Sequence, residues 1–139
     1  LNSCLFLRTA WLASRWVPVY QYEFADDAAP PVMKDPGIEL GAVHTSEMPY
    51  QFPGFSNTSV LDGPPLAAPQ QELARQMVAY WSSFVHKGRP AGAGLPEWQP
   101  FDPSRQALRL KPGAVGMFDA SGAHQCPMWE RLYPQELAR

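Results

Sequence analysis

The clearest periodic pattern of apolar residues in the sequence lies between Pro69 and Gly88. Apolar side chains recur there at intervals of three and four residues, which is the spacing of one helix face; they are Leu73, Met77, Tyr80, Trp81 and Phe84. Proline in the first turn and glycine just past the last turn are common helix boundaries. The pattern predicts a long helix bounded by this proline and glycine, with its apolar stripe serving as packing surface.

Weaker patterns predict two further helices and two strands. Cys4–Ala13 has helical spacing with Ser3 as a candidate cap, and a final helix is predicted from about His124 to Leu132. Trp16–Phe24 is rich in aromatic and β-branched residues and alternates between two sides, with the aromatic residues from position 20 onward on one side, which is typical of a strand. Ala107–Leu110 predicts a short second strand.

Much of the remaining sequence is rich in turn residues. Between Asp26 and Pro65 about forty residues have no regular pattern, and a loop of that length is usually functional. The segment Arg89–Pro103 is rich in proline and glycine, with Trp98 as a predicted apolar anchor. Because one good strand cannot form a sheet alone, we expect further strands to come from upstream sequence or from another chain.

Composition excludes some classes of function. The formal net charge of −2 and the absence of a basic run argue against a nucleic-acid partner. Every apolar run is shorter than the ~20 residues of a membrane span.

The sequence opens with Leu1, so we expect the true amino terminus and any signal peptide upstream. The two cysteines, Cys4 and Cys126, lack metal-ligand spacing and form either one disulfide or two free thiols.

Several titratable residues have ordinary structural interpretations. Asp26 and Asp27 are adjacent carboxylates without further oxygen ligands nearby, which is typical of a solvated turn, so no metal site is predicted. His86 falls in the last turn of the long helix, where the helix dipole favours positive charge. His124 precedes the final helix without a partner motif and is also expected to be structural.

Five segments, taken together, resemble the type B carboxylesterase and cholinesterase family. In chain order they are Val19–Phe24, Gly41–Phe52, Gln76–Phe84, Trp98–Phe101 and Cys126–Trp129. The resemblance covers nearly the whole chain and implies the α/β class. Residues 1–139 would form the carboxyl-terminal portion of a single α/β-hydrolase domain, with late strands and helices of the central sheet joined by long loops.

The resemblance implies that His44 is the general base of a Ser–acid–His triad, because it occupies the histidine of the family's His-x-x-Glu motif. Imidazole can take a proton from a serine hydroxyl and return it to a leaving alcohol at neutral pH. In this fold the serine and the acid precede the histidine, so both are expected upstream. Ser56, in Gly54–Thr58, lacks the second glycine of a nucleophile elbow and is not expected to react.

Neighbours of the histidine also have implied roles. Glu47 is not expected to act as the triad acid. The resemblance implies instead a buried carboxylate that is hydrogen-bonded through water near the active site. Tyr50 and Phe52 either line the substrate pocket or pack the loop down. The family commonly has glycine directly after this histidine, whereas this sequence has Thr45. A β-branched residue disfavours positive φ, so we expect the loop to differ locally from the family's.

The implied activity of the whole protein is hydrolysis of small-molecule carboxylic esters through an acyl-enzyme, without a cofactor. The isolated chain is expected to be inactive, because its partner in the site is the upstream part of the same domain. Two alternatives stay open: an inactive, cholinesterase-like adhesion or binding protein, and a truncated product without a stable fold.

The resemblance also implies a disulfide between Cys4 and Cys126, and hence a secreted or periplasmic protein. Helices near Met77 and Trp129 resemble those through which some relatives form homodimers.

Overall fold

A computed structural model describes residues 1–31, 37–52, 54–55 and 64–137. Its helices are α1 (Asn2–Ser14), α2 (Met48–Gln51), α3 (Ala68–Lys87), α4 (Ala120–Ala123), α5 (Cys126–Leu132) and α6 (Pro134–Leu137). Its strands are β1 (Tyr22–Phe24), β2 (Gln106–Leu110) and β3 (Gly116–Asp119). This mixture of helices and strands confirms the predicted α/β class. Within these described ranges, no helix is long and apolar enough to cross a membrane.

The three strands form one sheet in the order β1-β2-β3. Leu108 N donates to Gln21 O at 2.9 Å, and Ala25 N donates to Leu110 O at 2.9 Å. Residue numbers rise together along both strands, so β1 and β2 are parallel. The connection from β2 to β3 is too short for a crossover and can join only antiparallel neighbours. The prediction of a strand over 107–110 is therefore confirmed to within one residue.

The long strand predicted over Trp16–Phe24 is wrong at its amino-terminal end, because only Tyr22–Phe24 belongs to the sheet. Trp16 and Val17 are exposed, and Pro18 follows them without a backbone N–H to donate to a neighbouring strand. The strand β3 was not predicted from the sequence, since Gly116–Asp119 has neither alternation nor β-branched residues.

The chain folds into two compact units. Unit 1 comprises Leu1–Glu23, Glu97–Leu108 and Gly116–Arg139. Its core is a cluster of buried side chains to which α1, β2 and the carboxyl-terminal helices contribute: Cys4, Leu7, Ala10, Phe101, Ala107, Ala120, Cys126 and Leu137. The predicted helix over Cys4–Ala13 is confirmed, but Ser3 does not cap it, because the helix begins before Ser3 and its N-cap is Leu1.

A disulfide joins Cys4 of α1 to Cys126 of α5, with the two Cα atoms 5.5 Å apart. The final helix, which was predicted from about His124, begins slightly later, at Cys126. Residues 120–123 form the separate short helix α4. The predicted anchor Trp98 is buried in unit 1, where its indole Nε1 donates to Gln21 O at 3.0 Å. Its ring also packs edge-to-face against Tyr22.

Unit 2 comprises Phe24–Pro96 and Arg109–Val115. Its longest element is α3, which begins one residue before the predicted proline and is followed by Gly88 with φ +69°, a left-handed conformation that glycine adopts without strain. Leu73, Met77 and Tyr80 of the predicted stripe are buried, so that stripe is packing surface as expected. Phe84, at the end of the stripe, is instead 47% exposed.

Candidate functional site

His44 occupies the second position of a tight turn in unit 2. Ser46 N donates to Val43 O at 3.1 Å and closes the turn, and Thr45 in its third position has φ +75°. A positive φ at this position alone is the pattern of a type II turn, which strongly prefers glycine. Thr45 therefore adopts the conformation that we expected a β-branched residue to avoid. The His44 side chain is exposed at the surface of this turn.

The turn continues directly into helix α2. Met48 N donates to Thr45 O at 3.0 Å, Tyr50 N donates to Glu47 O at 3.0 Å, and Phe52 N donates to Met48 O at 3.0 Å. These short-range hydrogen bonds overlap along the chain from the turn into the helix. The backbone of His44 is therefore linked to α2 by an unbroken series of local hydrogen bonds.

Tyr50 anchors α2 to the interior of unit 2. Its side chain is only 1% exposed and packs edge-to-face against Phe24, with the ring centroids 4.9 Å apart. Its hydroxyl donates a hydrogen bond to Asp26 Oδ2. Burial, together with the hydrogen bond to Asp26 and its negative charge, raises the pKa of the Tyr50 hydroxyl. Tyr50 is therefore a permanent hydrogen-bond donor at neutral pH.

Asp26 does not lie in a solvated turn, so that prediction is wrong. The residue is 4% exposed, and its carboxylate also accepts hydrogen bonds from Gln70 Nε2 at 2.9 Å and from Ala28 N at 3.0 Å. A buried carboxylate is retained when hydrogen-bond donors replace its lost hydration, which is the case here. The neighbouring Asp27 is exposed as predicted and forms an ion pair with Lys111 at 2.8 Å.

Gln70 completes this buried cluster from the first turn of α3. Its Oε1 accepts a hydrogen bond from Ala67 N at 2.8 Å, which satisfies one of the free N–H groups at the start of the helix. Its Nε2 donates both to Asp26 and, at 2.9 Å, to Ala28 O. Sequence analysis missed Asp26 and Gln70, because no local pattern connects them to Tyr50.

The other predicted residues of the site occupy different environments. Glu47 is half-buried at the N-cap of α2, directly before Met48. Phe52 is 53% exposed and lines a surface pocket of ≈ 270 Å³ in unit 2. The remaining side chains that line this pocket are Gln51, Val78, Trp81, Ser82, Val85 and His86. Ser56 lies outside the described residues.

His86 and His124 are the other two histidines of the chain. His86 is exposed in the last turn of α3. In unit 1, His124 Nε2 forms an ion pair with Glu23, and both side chains are about one-third exposed. Neither residue lies in the tight turn that carries His44.

Three comparisons with known relatives cover nearly all of the chain. Cocaine esterase of Homo sapiens is 33% identical over 138 residues, which is 94% of this chain and 22% of the relative. Acylcarnitine hydrolase of Mus musculus is 32% identical over the same shares of both chains. Pyrethroid hydrolase Ces2a of Mus musculus is 30% identical over 94% of this chain and 23% of its own length. The chain thus spans less than a quarter of the length of these relatives.

The family model described as "Carboxylesterase family" matches residues 3–129, a range that includes the His44 turn, the Asp26 cluster and both cysteines. This match and the sequence identities agree with the α/β architecture and with the resemblance found in the five sequence segments. The chain therefore belongs to the carboxylesterase family.

Proposed function

We propose that the whole protein to which this chain belongs hydrolyses carboxylic esters, and that His44 is its general base. The single observation that carries the proposal is the placement of His44 within a family-matched segment, in a His-x-x-Glu motif. Its exposed ring stands on a turn that is closed by backbone hydrogen bonds and continuous with an anchored helix. Catalytic side chains are commonly held in this way, on loops that a rigid scaffold positions.

In the proposed mechanism, the imidazole of His44 removes the proton from a serine hydroxyl as the serine oxygen attacks the ester carbonyl. The resulting tetrahedral intermediate collapses to an acyl-enzyme, and His44 returns the proton to the departing alcohol. A water molecule then attacks the acyl-enzyme while His44 removes its proton; the bond to the serine oxygen breaks, the carboxylic acid leaves, and His44 returns the proton to the serine. The serine, the acid and the oxyanion donors are expected in the upstream part of the domain, and no cofactor takes part.

The direct test is substitution of His44 by alanine in the whole protein. Loss of the base should reduce kcat for a p-nitrophenyl ester by about 10³-fold or more. The matched control is His124→Ala, which removes an imidazole outside the His44 turn and outside the pocket that Phe52 lines, and should leave kcat unchanged within about twofold. If His44→Ala kept more than about a tenth of wild-type activity, the proposed role of His44 would be wrong. A whole wild-type protein with no esterase activity would favour the inactive adhesion or binding alternative.

The substrate class is proposed only as small-molecule carboxylic esters. The names of the three relatives describe hydrolysis of cocaine, of acylcarnitines and of pyrethroids, which share an ester bond but little else. The exposed ring of Phe52 supports a role at the edge of the substrate site. The buried ring of Tyr50 supports the packing alternative for that residue. Glu47 is proposed to support the histidine from its half-buried position at the start of α2.

We also propose that the whole protein is exported to an oxidising compartment, either outside the cell or in a periplasm. The disulfide between Cys4 and Cys126 supports this location, because such bonds persist mainly where thiols are not kept reduced. Homodimerisation through the helices near Met77 and Trp129 stays a prediction. Sedimentation velocity of the whole protein would test it.

A further inference from the structure

The buried carboxylate of Asp26 is the point at which three segments of unit 2 meet, and one of these segments carries His44. We propose that Asp26 is a positioning residue for His44, acting through Tyr50 and helix α2. The inference rests on the proposed function of His44 as general base. It assigns a role to a residue that lies outside the His-x-x-Glu motif and eighteen positions before the histidine.

The Asp26 carboxylate accepts hydrogen bonds through both of its oxygens. Three donors converge on it: the Tyr50 hydroxyl and Gln70 Nε2 on Oδ2, and Ala28 N on Oδ1. An ionised carboxylate is the side chain that offers acceptor sites on both of its oxygens and no donor. Hydrogen bonds to an ionised acceptor are also shorter and stronger than those between neutral groups. The cluster therefore holds Tyr50 in one position.

The amide of Gln70 cannot reverse to accommodate a different group at position 26. Its Oε1 accepts from Ala67 N, and its Nε2 also donates to Ala28 O, so both ends of the amide are already committed. In Asp26→Asn, an amide nitrogen replaces one carboxylate oxygen and faces either Gln70 Nε2 or Ala28 N, each of which is itself a hydrogen-bond donor. In either orientation one hydrogen bond to position 26 is lost, and the side chains around it must rearrange.

A displacement of Tyr50 is carried to His44 by the backbone. Hydrogen bonds from Tyr50 N to Glu47 O, from Met48 N to Thr45 O and from Ser46 N to Val43 O follow one another without interruption. The segment from the tyrosine back to the histidine therefore moves as one piece. Because catalysis requires near-attack geometry, a misplacement of about 1 Å can reduce the rate by about 10²-fold.

The experiment compares single variants of the whole protein with a p-nitrophenyl ester as substrate. We expect kcat to fall by about 10- to 100-fold in Asp26→Asn and by about 3- to 10-fold in Tyr50→Phe, with KM changed by less than about twofold. The matched control is Asp27→Asn, which makes the same chemical change at the adjacent, exposed carboxylate. Its kcat should stay within about twofold of wild type.

Active-site titration distinguishes positioning from a loss of folded protein. A fluorophosphonate probe, taken to completion, counts the molecules whose serine is competent, and kcat is then expressed per labelled site. We expect the labelled fraction to match wild type while the per-site kcat falls. In the double variant Asp26→Asn/Tyr50→Phe, the per-site kcat should be no lower than in Asp26→Asn, because both changes break one connection.

Two outcomes would overturn the inference, and they can be told apart. If His44→Ala is inactive while the Asp26 and Tyr50 variants keep wild-type per-site kcat, or lose only labelled fraction, the positioning role is wrong and the base assignment stands. If His44→Ala remains active, the proposed function fails and the positioning role fails with it.

Discussion

The left-handed conformation of Thr45 makes a quantitative prediction about the turn that carries His44. The perturbation is Thr45→Gly in the whole protein. An L-residue in this region costs roughly 1–2 kcal/mol, and β-branching places Thr45 at the upper end of that range. Glycine removes this cost but has more backbone freedom in the unfolded chain, which offsets about 0.5–1 kcal/mol. The net result should be a gain of about 1 kcal/mol in the free energy of unfolding.

The assay is urea denaturation of three proteins that differ only at position 45: threonine, alanine and glycine. Alanine keeps the Cβ atom and removes the branch, so it separates the two contributions to the strain. We expect the glycine variant to have the highest midpoint and alanine to lie between glycine and threonine. If unfolding is irreversible, the rate of unfolding at fixed temperature replaces the midpoint, with glycine the slowest.

Activity provides a second readout for the same variants. The turn is closed by Ser46 N donating to Val43 O, a bond between backbone atoms that glycine at position 45 can retain. We therefore expect kcat of Thr45→Gly to stay within about twofold of wild type. A glycine variant that is less stable than the alanine variant would refute the reasoning, because it would mean that position 45 does not have a positive φ.

Two further predictions concern stability. In Cys4→Ser/Cys126→Ser, removal of a bridge between residues 122 positions apart should lower the free energy of unfolding by up to about 5 kcal/mol on the chain-entropy account. Non-reducing peptide mapping of the wild-type protein should recover the two cysteines in one linked pair of peptides. Recovery of separately alkylated peptides would contradict the bridge. Met77→Ala should lower the free energy of unfolding by about 2–5 kcal/mol, because this side chain is fully buried on α3. Val85→Ala, at an exposed position of the same helix, should change it by less than about 0.5 kcal/mol. Equal effects of the two substitutions in urea denaturation would argue against the burial of Met77.

Helix α3 was predictable because every signal that defines it is local. The apolar spacing, the proline in the first turn and the glycine after the last turn all lie within about twenty residues, and they agree with one another. The strand β1 was predicted too long for the opposite reason. Alternation over Trp16–Phe24 reports which residues could form a strand, but pairing depends on a partner that local sequence does not specify. Only the part beside β2 joins the sheet.

The candidate site also has one part that local sequence could predict and one part that depends on distant contacts. The proposed role of His44 could be inferred from its motif, because the histidine, the glutamate and the aromatic residues that follow lie within nine positions. The burial of Asp26 could not be inferred, since its Asp-Asp-Ala surroundings have the composition of an exposed turn and its burial results from tertiary contacts. The local contact from Ala28 N to Oδ1 is also common in exposed turns and gives no indication of burial.

The separation in sequence between the proposed general base, His44, and its proposed support, Asp26, has a physical basis. A tight turn can be specified by four residues, because its hydrogen bond closes within the segment itself, and His44 is presented by such a turn. A turn of this kind fixes a local direction but not a position in the domain. Position must come from contacts that are distant in sequence, and here Asp26 receives hydrogen bonds from Tyr50, 24 residues away, and from Gln70, 44 residues away. Substitutions in the turn other than at His44 should therefore change stability with little effect on kcat, as expected for Thr45→Gly, whereas substitutions in the Asp26 cluster should lower kcat in molecules that remain folded.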